Sequence, residues 1–159
     1  QLLQEVVDSN QRQFDRVADR ARSMVDNADG SRVAVWGLAF KAGTDDTRDS
    51  PALEVVRRLL SAGITVVGYD PKGSFAADGF TQVDEAQAAA INADLLIVLT
   101  EWPDFSAIDP SAIASSMRVP QVFDTRSVLD LDHWQTAGFT CETIGRVTSN
   151  PDPSSTSGL

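Results

Sequence analysis

Apolar and polar positions follow one another along this chain in two alternating rhythms. At the start, Leu3, Val6, Val7, Phe14, Val17, Ala21 and Val25 recur at three-, four- and seven-residue steps, the period of one helical face. The spacing predicts a helix over residues 1–27, closed by Asp29-Gly30. Residues 33–38 are a continuous apolar run and read as a strand covered on both faces. Ser50-Pro51 opens a helix, because Ser caps free amides and Pro is tolerated at the first helical position. That helix carries Leu53, Val56, Leu59 and Leu60 on one face and stops at Gly63. A second buried strand spans 64–69 and is ended by Asp70-Pro71. Beyond it the pattern predicts a short strand near 80–83 and an alanine-rich helix, capped by Asp84, to about Ala90. Residues 95–99 form the most apolar strand. A short helix follows from Asp109-Pro110, a strand at 121–124, a short helix at 131–137 and a last strand at 139–143.

Strands alternating with helices imply a parallel sheet covered on both faces. The expected fold class is therefore α/β, a Rossmann-like doubly wound, mainly parallel sheet flanked by helices and preceded by a long N-terminal helix. Residues 1–28 form that helix, residues 29–148 the sheet domain, and residues 149–159, where the composition turns to Pro, Ser, Gly and Asp, a disordered tail. No cap residue precedes the first helix, so it reads as cut into, and the chain as the C-terminal part of something longer.

Topology then acts on the charged residues. In a parallel sheet all strands end on one rim, and ligands bind there, where the strand order reverses. Phe40 and Lys41 follow the first strand, Asp70 the second, Thr100, Glu101 and Trp102 the most apolar one, and Asp124, Thr125 and Arg126 the next. Lys41 and Arg126 could face one anion: Lys as a point charge, Arg as a planar fork. Trp102 offers a flat surface to a base or sugar. Each of these also reads singly as a loop-end residue, with Trp102 packed beneath a loop. The loop between the first strand and its helix is long and charged, with Asp45, Asp46 and Arg48, which also reads as a self-neutralising turn.

This loop is not a dinucleotide fingerprint. It carries only Gly37 and Gly43, six apart, where G-x-G-x-x-G is required. Asp70 reads more simply as part of a strand-ending turn. The formal charge of −10 argues against nucleic acid and anionic membranes as partners. Cys141 is the only cysteine and sits in an expected strand, so it reads as a core residue in a reducing compartment; His133 reads as a surface residue. No metal-ligand spacing and no catalytic constellation appears. With no leader and no apolar run near the roughly 20 residues of a spanning helix, the expectation is a cytoplasmic protein.

The stretch GLAFKAGTDDTRDSPAL, residues 37–53, resembles the UDP-glucose 6-dehydrogenase family, within the wider group of NAD-dependent nucleotide-sugar 6-dehydrogenases. The likeness continues in YDP (69–71), TEWPDF (100–105), DTR (124–126) and AGF…IGR (137–146). It implies a C-terminal domain that closes over a UDP-sugar, UDP-glucose first. Phe40 and Lys41 would contact the substrate, Arg126 would hold its nucleotide end, and Arg48 would reach an NAD bound on another domain. The initial helix resembles the end of that family's dimerising helix, which implies a homodimer. The family's glycine-rich cofactor loop and catalytic Cys match nothing here, so the chain alone should not turn over substrate. Asp124-Thr125-Arg126-Ser127 departs from the usual D-G-R-N. That keeps a UDP-N-acetyl-hexosamine or GDP-mannose 6-dehydrogenase as an alternative, and the missing catalytic parts keep a free-standing nucleotide-binding regulatory module as another.

Overall fold

The computed structural model describes residues 2–25, 30–39, 43–48, 50–144 and 146–148, with 2–10 and 146–148 by backbone alone. Helix α1 spans Leu2–Ser23. Strand β1 (Arg32–Trp36) is followed by α2 (Pro51–Ser61), β2 (Thr65–Tyr69) and β3 (Phe80–Gln82). Helix α3 (Ala86–Ala90), β4 (Leu95–Val98), α4 (Pro103–Ser106), α5 (Pro110–Ser116) and β5 (Gln121–Asp124) come next. The chain closes with α6 (Leu131–Thr136), β6 (Thr140–Thr143) and β7 (Arg146–Thr148).

One sheet runs in the order β3-β2-β1-β4-β5-β6-β7. Every pairing is parallel except β6 with β7. The doubly wound, mainly parallel reading is borne out. From β1 the chain builds outward through β2 and β3, then returns and builds the other way from β4. The order therefore reverses between β1 and β4, where the crevice was expected.

Period-2 alternation sends each central strand's side chains to two cores. Val33 and Val35 of β1, with Leu95 and Ile97 of β4, pack beneath Val56 and Leu59 of α2 and Val17 and Ala21 of α1. Ala34 and Trp36, with Leu96 and Val98, pack on the other face with Phe105, Ile113, Trp134 and Phe139. Burial on both faces explains why these strands read as unbroken apolar runs. Helix α1 is also tied to the sheet by charge. Arg20 grips the buried carboxylate of Glu142 through Nε and Nη2, and Arg58 of α2 donates to Asp15 (2.7 Å).

Several boundaries differ from expectation. Helix α1 ends at Ser23, not Asn27: the Ser23 hydroxyl donates to the Arg20 carbonyl (2.6 Å), and Met24 N–H is shared between the Arg20 and Ala21 carbonyls, tightening the last turn. Helix α3 starts at Ala86, with Glu85 rather than Asp84 in the cap position. Helix α4 was too short to leave a periodic pattern. Strand β7 was not read because it pairs antiparallel beyond the last parallel edge. Asp109 does cap α5, accepting from Ser111 N–H (3.0 Å). Among the described residues no helix is long and apolar enough to cross a membrane. The tail expected at 149–159 lies outside the described residues.

Candidate ligand site at the carboxyl rim

Four strands end side by side at the reversal. Backbone bonds continue past them: Gly37 N–H donates to Tyr69 O (2.8 Å), Leu99 N–H to Trp36 O (2.9 Å) and Thr125 N–H to Val98 O (3.1 Å). Residues 37–39, 70, 99–102 and 125–126 thereby share one rim. Gly37 adopts φ +102°, and a Cβ there would lie 2.5 Å from Thr100 Cβ. The chain leaves β1 through a gap that only glycine fits.

Asp70 organises this rim. It is buried, and its two oxygens accept five hydrogen bonds. Oδ2 takes Leu38 N–H (2.7 Å), Ala39 N–H (2.9 Å) and the Trp102 indole N–H (3.2 Å). Oδ1 takes Lys72 N–H (2.8 Å) and Gly73 N–H (2.6 Å). Asp70 is thus more than the strand-ending turn expected of it: one carboxylate joins the loops after β1, β2 and β4. The same two loop residues are held from their carbonyl side. Ser50 Oγ donates to Leu38 O (2.8 Å) and Ala39 O (3.2 Å), and Thr100 Oγ1 donates to Ala39 O (3.2 Å). Ser50 occupies the cap position of α2 without capping it, because its hydroxyl is turned to this loop.

Asp124 does for β5 what Asp70 does for β2. Buried at the strand end, it accepts Arg126 N–H (3.0 Å), Val128 N–H (2.8 Å) and Leu129 N–H (2.8 Å). The turn passes through Ser127 at φ +57°. It presents Arg126 at the surface, where Nε donates to Glu101 Oε2 (2.6 Å) and the side chain stays 46% exposed. Beside Arg126 is a pocket of ≈ 80 Å³ lined by Phe14, Val17, Pro51, Leu99, Thr125 and Ile144, among others. Drug-sized ligands occupy about 300–1,000 Å³. This pocket is too small to enclose a ligand of that size.

The expected site residues fare differently. Arg126 is on the rim at the end of β5. Phe40 and Lys41 directly follow Ala39 in the chain but lie outside the described residues. Arg48 is 88% exposed; its Nε and Nη2 donate to Asp46 (3.0 and 3.1 Å), and this guanidinium holds the Asp46 carboxyl below its usual range. Trp102 is not a platform for a base. It is buried, and its one polar atom is given to Asp70. The parts that Asp70, Asp124, Ser50 and Thr100 play in holding the loops of this rim were missed. Their signal was available: an Asp ending an apolar strand faces the free N–H groups of the next loop.

His133 is exposed on α6, as expected, and no metal-binding cluster occurs among the described residues. Cys141 is buried on β6, and burial pushes its thiol up to about 11 from 9. Only the thiolate is nucleophilic. At pH 8 the folded chain is expected to resist a thiol-specific disulfide reagent and to react fully once denaturant is added. Equal rates in both states contradict this. The same shift sets a sign for alkaline stability: the folded state keeps the proton longer, so stability falls as pH rises from about 9 through about 11.

Comparison with known proteins bears on this rim. The family model described as "UDP-glucose/GDP-mannose dehydrogenase family, UDP binding domain" matches residues 34–131. A UDP-glucose 6-dehydrogenase of Haloferax volcanii is 44% identical over 132 residues, covering 80% of this chain and 30% of that protein. A UDP-glucose dehydrogenase structure from Pyrobaculum islandicum aligns with a TM-score of 0.67 and 29% identity, over 87% of this chain and 30% of that one. A UDP-D-ManNAc dehydrogenase from Pyrococcus horikoshii aligns with a TM-score of 0.65 and 28% identity, over 86% and 30%. The chain spans about a third of the length of the curated relatives it matches.

Proposed function

We propose, for a chain that belongs to the UDP-glucose/GDP-mannose dehydrogenase family and carries its UDP binding domain, that it holds the UDP-sugar in an NAD-dependent UDP-glucose 6-dehydrogenase. The observation that carries this reading is Arg126, set on the rim beside the β1–β4 reversal by Asp124 and held at Nε by Glu101. An Arg gripped on one edge of its fork can still turn its terminal nitrogens to a phosphate. Lys41 adds a second positive charge to the same anion, and Phe40 packs against the substrate. Alpha-helix α1 is the end of the helix through which the enzyme pairs as a cytoplasmic homodimer.

The rim does not fit NAD. The space of a Gly37 side chain is filled by Thr100, not left for a pyrophosphate, and both Asp70 oxygens are taken by the chain's own N–H groups. A dinucleotide fold would need that backbone bare and that acid free for a ribose. On this reading NAD would be held elsewhere in the enzyme, where it would supply the hydride acceptor, and Arg48 would reach it from the exposed loop before α2. No residue of this chain is assigned a catalytic role.

The test is NADH formation by the natural-length protein with UDP-glucose, a UDP-N-acetyl-hexosamine and GDP-mannose in parallel. UDP-glucose is expected to be oxidised fastest. Turnover of the N-acetylated sugar alone would transfer the assignment to the activity named for the Pyrococcus horikoshii protein. No turnover with any sugar, together with tight UDP binding by the 159-residue chain, would make it a free-standing binding module.

A further inference from the structure

Asp70, Ser50 and Thr100 close on residues 38 and 39 from opposite sides. Asp70 Oδ2 takes both N–H groups, while the two hydroxyls take both carbonyls. Two consecutive residues, Leu38 and Ala39, are thus held at every backbone polar atom, immediately before Phe40 and Lys41 in the chain. The clamp draws on three elements, the end of β2, the start of α2 and the end of β4. A strand-ending turn needs only the two bonds from Lys72 and Gly73 to Asp70 Oδ1. The other three donors on Oδ2 have no role in that turn.

We propose that Asp70, with Ser50 and Thr100, is a positioning clamp that sets affinity for the nucleotide diphosphate by fixing the exit of β1. The proposal rests on the reading of the rim as the UDP-sugar site. Asp70 touches no ligand; it acts through the backbone of Leu38 and Ala39. Fixing a binding loop in advance removes an ordering cost from each binding event. At the position where a dinucleotide fold presents its acid to a ribose, this chain has turned the acid inward and used it to aim a loop.

The test uses the natural-length protein, with UDP affinity measured by calorimetry well below the thermal midpoint of each variant. Asp70→Asn keeps the shape but replaces one acceptor oxygen with a donor, which repels N–H groups. It is expected to weaken UDP binding about tenfold or more, with the far-ultraviolet circular dichroism of the parent. Should Asp70→Asn fail to fold, Ser50→Ala decides, since it frees the same two residues from the carbonyl side and leaves Asp70 intact. It is expected to weaken UDP binding by roughly threefold or more. A merely structural clamp would lower the thermal midpoint and leave UDP affinity in the folded protein unchanged; that result in Ser50→Ala, or in a folded Asp70→Asn, overturns the proposal. Lys41→Ala separates the two failures. If Lys41→Ala loses affinity while the clamp variants keep it, the site stands and the clamp falls. If Lys41→Ala also binds UDP like the parent, the rim reading itself is wrong.

Discussion

Gly37→Ala is expected to lower the midpoint of thermal unfolding by about 6 to 12 °C, from a loss of about 3 kcal/mol. Two costs combine. At φ +102° any side chain sits in strained backbone, worth about 1–3 kcal/mol. The new Cβ would also meet Thr100 Cβ at 2.5 Å and Thr100 N at 2.6 Å, and a backbone nitrogen cannot swing aside. The end of β4 must retreat, which opens the Leu99–Trp36 bond and the Thr100 hydroxyl's bond to Ala39. Gly43→Ala is the control. Its φ is +87°, but nothing lies within 4 Å of the added Cβ. Only the conformational cost remains there, so a loss of about 1 kcal/mol is expected. Melting curves followed by circular dichroism decide it, and equal losses at the two glycines would show that the Gly37–Thr100 approach is not tight.

The sheet was legible because its strands are buried on both faces. Residues 33–38 and 95–99 carry no polar interruption and 64–69 only Thr65 near its start, and that pattern has few interpretations other than a parallel sheet between helices. Topology then located the rim without any coordinates. What the sequence could not show is how the rim's polar atoms are spent. Trp102 looked available to a ligand as a flat surface and Asp70 read as part of a strand-ending turn, yet they are bonded to each other. Ser50 looked like a helix cap, but its hydroxyl faces two carbonyls twelve and eleven positions earlier. Such pairings join loops far apart in the chain and leave no periodic trace. Arg48 is the reverse case: its bond to Asp46 is local, and the self-neutralising turn could be read directly. Cys141 was legible as a core residue from its place in an expected strand.

Removing Arg126 and Lys41, the two cations proposed to hold the nucleotide, is the other large effect. Arg126 already has a partner, so the magnitudes decide whether a phosphate can claim it. An exposed ion pair such as Arg126–Glu101, with side chains 46% and 41% exposed, is worth about 0–1 kcal/mol. A charge-assisted hydrogen bond to a phosphate contributes about 1.5–3 kcal/mol. On the proposed reading the phosphate outcompetes Glu101, which steers the guanidinium without withholding it. Arg126→Ala and Lys41→Ala are each expected to weaken UDP binding about ten- to hundredfold. Arg126→Ala should not shift the thermal midpoint by more than about 2 °C, because Arg126 belongs to an exposed pair. The deciding measurement is a calorimetric titration of UDP into the natural-length protein and its Lys41→Ala/Arg126→Ala double variant. The expected result is a loss of about a hundredfold or more at an unchanged midpoint. A double variant that binds UDP within about twofold of the parent would contradict the assignment of this rim to the nucleotide.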